Sequence, residues 1–164
     1  MWPFLPHIPN LHEVSGNIWR GGQPDQKGWM QLQQLGIKTV VKLNTIDEAT
    51  DLAPGMQIRS FPITVRDQLT GSDLDSMVPA AVAAIQPYTF IHCGSDARTQ
   101  SEIDQLLGNQ GGQDRTGLVC ACYRVKCGWS YGEAEKEMLS YGFHKLLFGL
   151  WEYWEKLRNS GAIV

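Results

Sequence analysis

A His-Cys pair, His92-Cys93, closes the apolar run Phe90-Ile91, and the stretch Gln110-Gly111-Gly112-Gln113-Asp114-Arg115-Thr116-Gly117 opens a mostly apolar helical pattern. A cysteine at the end of a strand, facing a helix N-terminus and an arginine, is favoured as the thiolate, its nucleophilic form. Glycines let a loop backbone approach an anion closely and aim successive N–H groups at it. Arginine grips two oxygens at once with a planar fork, which lysine cannot do. An acid is also needed to protonate a departing oxygen, and Asp67 and Asp114 are the candidates. Together these are the parts of a metal-independent site for cleaving a phosphoester. Sixteen positions, 94–109, separate its nucleophile from its anion cradle.

With residues 94–109 set aside, the order His92-Cys93-Gln110-Gly111-Gly112-Gln113-Asp114-Arg115-Thr116-Gly117 resembles the HC-x5-R-[ST]-G signature of cysteine-dependent protein tyrosine phosphatases, including a glycine (Gly112) at the third loop position. Asn17-Ile18-Trp19-Arg20-Gly21-Gly22-Gln23-Pro24, followed by Leu35-Gly36-Ile37-Lys38-Thr39-Val40-Val41, is similar to the opening of the small dual-specificity-type members. Phe61-Pro62-Ile63-Thr64-Val65-Arg66-Asp67 resembles their general-acid loop. The resemblance covers roughly residues 11–145. It implies that Cys93 attacks phosphorus to form a cysteinyl-phosphate and that Asp67 is the general acid. Arg115, with Gln110, Gly111, Gly112, Gln113, Asp114 and Thr116, would hold the phosphoryl group. Thr116 would hydrogen-bond the cysteine sulfur, His92 would order the loop from beneath, and no cofactor or metal is required. The implied substrates are phosphotyrosine, phosphoserine or phosphothreonine proteins and small aryl phosphates. A loop with no lysine and with an aspartate weighs against highly anionic inositol phosphates.

Positioning these groups falls to alternating strands and helices. Short extended pieces are expected over 11–20, turning at Ser15-Gly16-Asn17, with a turn at Gly21-Gly22-Gln23-Pro24. A helix follows from Pro24 or Asp25, carrying Trp29, Leu32 and Leu35 at helical spacing. A buried strand is expected over 37–43 and further strands over 57–63 and 88–92, with a polar loop over 64–71 between the last two. Ser72 reads as the N-cap of a helix that Pro79 kinks or restarts. Further helices are expected over 116–126, over 130–141 behind a Ser130/Glu133 capping box, and over 146–157. This pattern gives a single α/β domain over 1–164, with a central, mostly parallel sheet flanked by helices, tyrosine-phosphatase-like.

The chain has 164 residues, 43% hydrophobic and 19% charged, with a formal net charge of −3. That balance suits a globular domain and argues against nucleic acid or an anionic membrane surface as the partner. No apolar run approaches the ~20 residues of a membrane span. Residues 1–6 lack the layout of a signal peptide and read as an arm packing onto the domain. Four cysteines, three of them in one apolar stretch, suggest a reducing, cytoplasmic setting. Cys120 and Cys122 lie on different helix faces and read as core. Arg20 and Arg66 read as structural ion-pair partners.

The interruption leaves three arrangements open. The excursion 94–109, with a short helical piece over 101–107, leaves and returns at one point and the cradle survives. Alternatively the loop is pulled open, leaving a catalytically impaired phosphate- or phosphoprotein-binding module. Or 93–99 forms a substitute loop around Arg98.

Overall fold

The computed structural model describes residues 7–47, 51–94, 106–107 and 111–164. Five strands form one sheet: β1 (His12–Ser15), β2 (Ile18–Gly21), β3 (Thr39–Lys42), β4 (Gln57–Ser60) and β5 (Thr89–His92), in the order β1-β2-β5-β3-β4. A tight turn joins β1 to β2, which are antiparallel; the remaining pairs are parallel, their strands joined by longer crossover connections rather than tight turns. β5, which delivers Cys93, is therefore central. Every residue of β3 and β5 is buried, which is why both read as continuous apolar or β-branched runs.

Among the described residues the helices are α1 (Gln26–Gln34), α2 (Val65–Thr70), α3 (Leu74–Ala83), α4 (Arg115–Lys126), α5 (Tyr131–Ser140) and α6 (Phe148–Ser160). Alternation along the strands divides the core between the two sheet faces. Val40 and Phe90 pack with Trp29 and Leu32 of α1, while Val41 and Ile91 pack with buried residues of α3, α4, α5 and α6. Cys120 and Cys122 belong to this second core, Cys127 is exposed, and all four cysteines are free thiols. No helix among the described residues is long and apolar enough to cross a membrane. The expected arm over 1–6 lies outside the described residues.

Side-chain caps account for several helix starts. Asp25 caps α1 by accepting the Gly28 N–H, and Ser130 and Glu133 close a reciprocal box at α5. The same chemistry corrects the expected loop at 64–71. Thr64 Oγ1 accepts the Asp67 N–H at 3.1 Å, Asp67 Oδ2 accepts the Thr64 N–H at 2.8 Å, and the segment folds as α2. Its six residues are too few to show a helical period. Gly149 of α6 lies against the backbone of Asp67, Gln68 and Gly71, where a Cβ would overlap, so tertiary packing holds a helix that could not stand alone. Ser72 is not the next cap: its hydroxyl pairs with Thr70, and Asp73 (φ 58°) precedes α3, which runs through Pro79. The strand expected over 57–63 stops at Ser60, yet the Ile63 N–H still bonds Leu43 O at 3.0 Å.

One polar network crosses the carboxyl edge of the sheet. Lys42 Nζ lies 2.6 Å from Asp51 Oδ2 with both side chains buried, and Gln23 Nε2 donates to Asp51 Oδ1 at 2.6 Å. Removing one partner of a buried pair strands the other charge. Asp51→Ala is therefore expected to lower the unfolding free energy by about 3 kcal/mol, read from urea denaturation at neutral pH. A variant as stable as wild type would mean the Lys42 ammonium is already solvated.

Candidate active site

Parallel strands deliver their ends to one edge, and the residues just past those ends converge there. Cys93 leaves β5 with its side chain buried. Gly94 follows at φ 112°, and the chain re-enters through Gly111 (φ 87°) and Gly112 (φ 77°). A Cβ on Gly94 would lie 3.0 Å from the Gly111 Cα, and one on Gly111 would lie 3.1 Å from the Gly94 Cα. The two backbones touch, so the excursion leaves and returns at one point and the loop is not pulled open. The Gly112 N–H donates to Cys93 Sγ at 3.3 Å, bringing the cysteine and the glycine loop together across the intervening residues. Of the excursion itself, Leu106 and Leu107 are helical, with Leu107 packed on the larger core. The remainder, 95–105 and 108–110, lies outside the described residues, and with it Gln110, Arg98 and the proposed substitute loop.

The loop has a built floor. A Cβ at Gly112 would lie 2.5 Å from the Gly21 carbonyl carbon and 2.6 Å from Gly22 N, so the end of β2 and the loop are in backbone contact. Arg20 Nη2 donates to Gly112 O at 2.9 Å, and Asn10 Nδ2 to Gly111 O at 2.7 Å. Asn44, just past β3, donates to Gly94 O at 2.7 Å and to Gln23 Oε1 at 2.8 Å. Sequence reading missed Asn10, Gln23 and Asn44 as loop holders. The available signal was position: Asn44 and Gln23 follow strands that flank β5 in a parallel sheet. Arg20, read as an ion-pair partner, makes no ion pair among the described residues; its partner is the loop carbonyl.

Arg115 is the first residue of α4, buried, with Nη1 donating to Ile63 O at 3.0 Å. That bond ties the anion loop to the segment that starts α2, which carries Asp67. Asp67 is buried; its Oδ2 serves the Thr64 N–H, while Oδ1 makes no hydrogen bond among the described residues. Asp114 immediately precedes Arg115 and turns to His144: Oδ1 accepts the His144 N–H at 2.7 Å, and Nδ1 of the ring lies 3.0 and 3.1 Å from the two carboxylate oxygens. Burial raises the Asp114 carboxyl above its ordinary range, against the lowering effect of His144 and Arg115. The Gln113 carboxamide lies against Gly142.

Two expected contacts take another form. Among the described residues Thr116 Oγ1 is buried without a hydrogen-bond partner, and the sulfur's donor is Gly112 N–H instead. His92 is fully buried, with both ring nitrogens unpartnered among the described residues. It stacks on Phe90 at 5.5 Å between centroids and meets Trp29 edge-on at 5.7 Å. Burial holds its pKa well below the ordinary value, helped by Lys42 and Arg115, so the ring is neutral and supports the strand end by packing. Lys42 is already paired with Asp51, so Arg20 and Arg115 are the guanidinium groups held at this edge without an ion pair to a carboxylate among the described residues. The described contacts join a thiol, the Gly112 amide and the start of α4, and link Arg115 to the segment that carries Asp67; these are residue types suited to an anionic tetrahedral group.

No family model matches the chain. Among curated proteins, the dual specificity protein phosphatase TpbA of Pseudomonas aeruginosa is 28% identical over 136 residues, 82% of this chain and 55% of the relative. The chain thus spans about half the length of the curated relatives it matches. Among solved structures, the crystal structure of P. aeruginosa TpbA superposes with a TM-score of 0.62 at 23% identity, covering 95% of this chain and 97% of that one. A TpbA variant solved in complex with pTyr gives 0.62 at 22% identity, covering 95% and 96%. A mouse putative dual specificity phosphatase complexed with zinc tungstate gives 0.64 at 17% identity, covering 98% and 96%.

Proposed function

We propose that this chain, which has the fold of the cysteine-dependent protein tyrosine phosphatases and is similar in sequence to a dual specificity relative, hydrolyses phosphomonoesters through a cysteinyl-phosphate. The observation that carries the proposal is the 3.3 Å hydrogen bond from Gly112 N–H to Cys93 Sγ. In the first step the sulfur of Cys93 attacks phosphorus, the P–O bond to the alcohol or phenol breaks, and Asp67 gives the leaving oxygen its proton. Arg115 and the loop formed by Gln110, Gly111, Gly112, Gln113, Asp114 and Thr116 hold the phosphoryl oxygens. In the second step the Asp67 carboxylate takes a proton from water as that water attacks phosphorus. The products are the Cys93 thiolate and inorganic phosphate.

Aryl phosphates and phosphotyrosine are the favoured substrates, with phosphoserine and phosphothreonine following from the dual specificity relatives. A TpbA structure in complex with pTyr supports that order, as does a loop without lysine. The elements described share one sheet, which favours a single domain over 1–164, and four free thiols favour a reducing, cytoplasmic setting. The rival reading, a phosphate-binding module disabled by its extra residues, needs the sulfur parted from the loop; the Gly112 contact weighs against it. Hydrolysis of para-nitrophenyl phosphate by wild type, compared with Cys93→Ser, tests the proposal. Equal rates would end it.

Asp67 is favoured over Asp114 as the acid because both Asp114 oxygens are engaged by His144, while Asp67 keeps one oxygen without a bond among the described residues. Asp67→Asn is expected to cut kcat by about 10²-fold on an alkyl phosphate and far less on para-nitrophenyl phosphate, whose leaving group needs little protonation. If Asp114→Asn produces that leaving-group dependence instead, the roles are exchanged.

A further inference from the structure

Arg20 is 1% exposed, and the described residues supply it no carboxylate. Its Nε and Nη1 atoms have no hydrogen-bond partner among the described residues, and Nη2 donates to Gly112 O at 2.9 Å. The guanidinium otherwise sits over the Tyr141 ring, 4.9 Å from its centroid. Tyr141 in turn stacks on His12 at 4.1 Å, and burial followed by the nearby Arg20 charge lowers the His12 pKa, so that ring is neutral too. An enclosed cation without a counter-ion is costly. The position makes sense where an anion is held on the far side of the peptide that Arg20 grips.

The peptide geometry says how the cation acts. Every peptide bond in the loop region described is trans, so each C=O points opposite to the N–H of the next residue. Asn10 holds the Gly111 carbonyl, and the amide on the far side of that peptide, Gly112 N–H, faces Cys93 Sγ. Arg20 holds the Gly112 carbonyl in the same way, which turns the Gln113 N–H away from the floor and toward the loop interior. Two floor side chains thus aim two successive amides.

We propose that Arg20 is a positioning residue of the anion loop: through the Gly112 carbonyl it fixes the 112–113 peptide with its N–H toward the phosphoryl group, and its unmatched charge is answered by that group's. This rests on the reading of the loop as a phosphate cradle. Direct calorimetric titration with inorganic phosphate tests binding apart from turnover, beside kcat/KM on para-nitrophenyl phosphate. Arg20→Met removes charge and donor, Arg20→Gln keeps a donor, and Arg20→Lys keeps the charge. Arg20→Met is expected to weaken phosphate binding at least about tenfold and to lower kcat/KM by about 10²-fold. Arg20→Gln should lose binding by a smaller factor, and Arg20→Lys should recover part of it. A merely structural arginine would change the urea midpoint and leave the phosphate affinity of the folded fraction unchanged. Phosphate affinity within twofold of wild type in Arg20→Gln, or in a folded Arg20→Met, overturns the proposal. Wild type that binds phosphate without turnover sinks the hydrolase reading and leaves the Arg20 comparison standing; wild type that binds no phosphate sinks both.

Discussion

Cys93→Ser is expected to reduce hydrolysis of para-nitrophenyl phosphate by roughly 10⁴-fold or more while leaving phosphate binding in place. Serine is close in size to cysteine, so a site already enclosed on β5 keeps its shape. A hydroxyl beside the loop is a poor nucleophile without a base to activate it, and the Gly112 N–H can donate to oxygen as it does to sulfur. The loop amides and Arg115, the groups proposed to hold phosphate, are untouched. Arg115→Ala separates the two functions differently. It removes the planar fork and also the 3.0 Å bond to Ile63 O that ties the loop to the Asp67 segment. Turnover and phosphate affinity should then fall together. Initial rates for the three proteins, with phosphate titrations of each, read these effects directly. Retention of even a tenth of wild-type turnover by Cys93→Ser would contradict the assigned nucleophile.

Gly112→Ala is the second large effect expected, and it acts on fold and site together. Gly112 has φ 77°, where a Cβ is strained, and the new methyl would meet Gly21 C at 2.5 Å, Gly22 N at 2.6 Å and Gly21 O at 2.8 Å. Those are backbone atoms at the end of β2, so no side chain can swing away. Strain and forced displacement together should cost about 3 kcal/mol in stability. Moving the loop off its floor also lengthens the bonds to Arg20 and Cys93, lowering kcat/KM by about 10²-fold. Gly16→Ala is the control for strain alone: φ is 53°, with nothing within 4 Å of the added carbon, and the expected loss is about 1 kcal/mol. Urea midpoints and hydrolysis rates compare the two. Equal destabilisation would mean the contact between loop and β2 is looser than drawn.

What the residues reveal unaided divides along a physical line. β3, β5 and α4 are legible because burial on both sides leaves unbroken apolar runs. α5 is legible because Ser130 and Glu133 are a local cap. The anion loop is legible because glycines and an arginine crowd one stretch. α2 was missed since its cap pairs Thr64 with Asp67, an aspartate where a glutamate is the usual signal, and since its stability comes from Gly149, far along the chain. Asn10, Arg20 and Asn44 bond loop carbonyls 50 to 101 positions away. Nothing local marks such partners; only the strand order β2-β5-β3 brings them to one edge. Arg20 is the instructive case, because a buried arginine suggests a carboxylate and here meets a carbonyl.

The contact between Gly94 and Gly111 has a consequence for how this fold can vary. Closing a loop whose ends already touch costs free energy that grows only with the logarithm of its length, about 0.6 kcal/mol for each doubling. The junction therefore behaves as a socket. What is plugged in between its two glycines can change while the strand, the floor and α4 keep their own bonds. Segments of different length and composition can be exchanged there as cassettes without disturbing the contacts among Cys93, Gly112 and the end of β2.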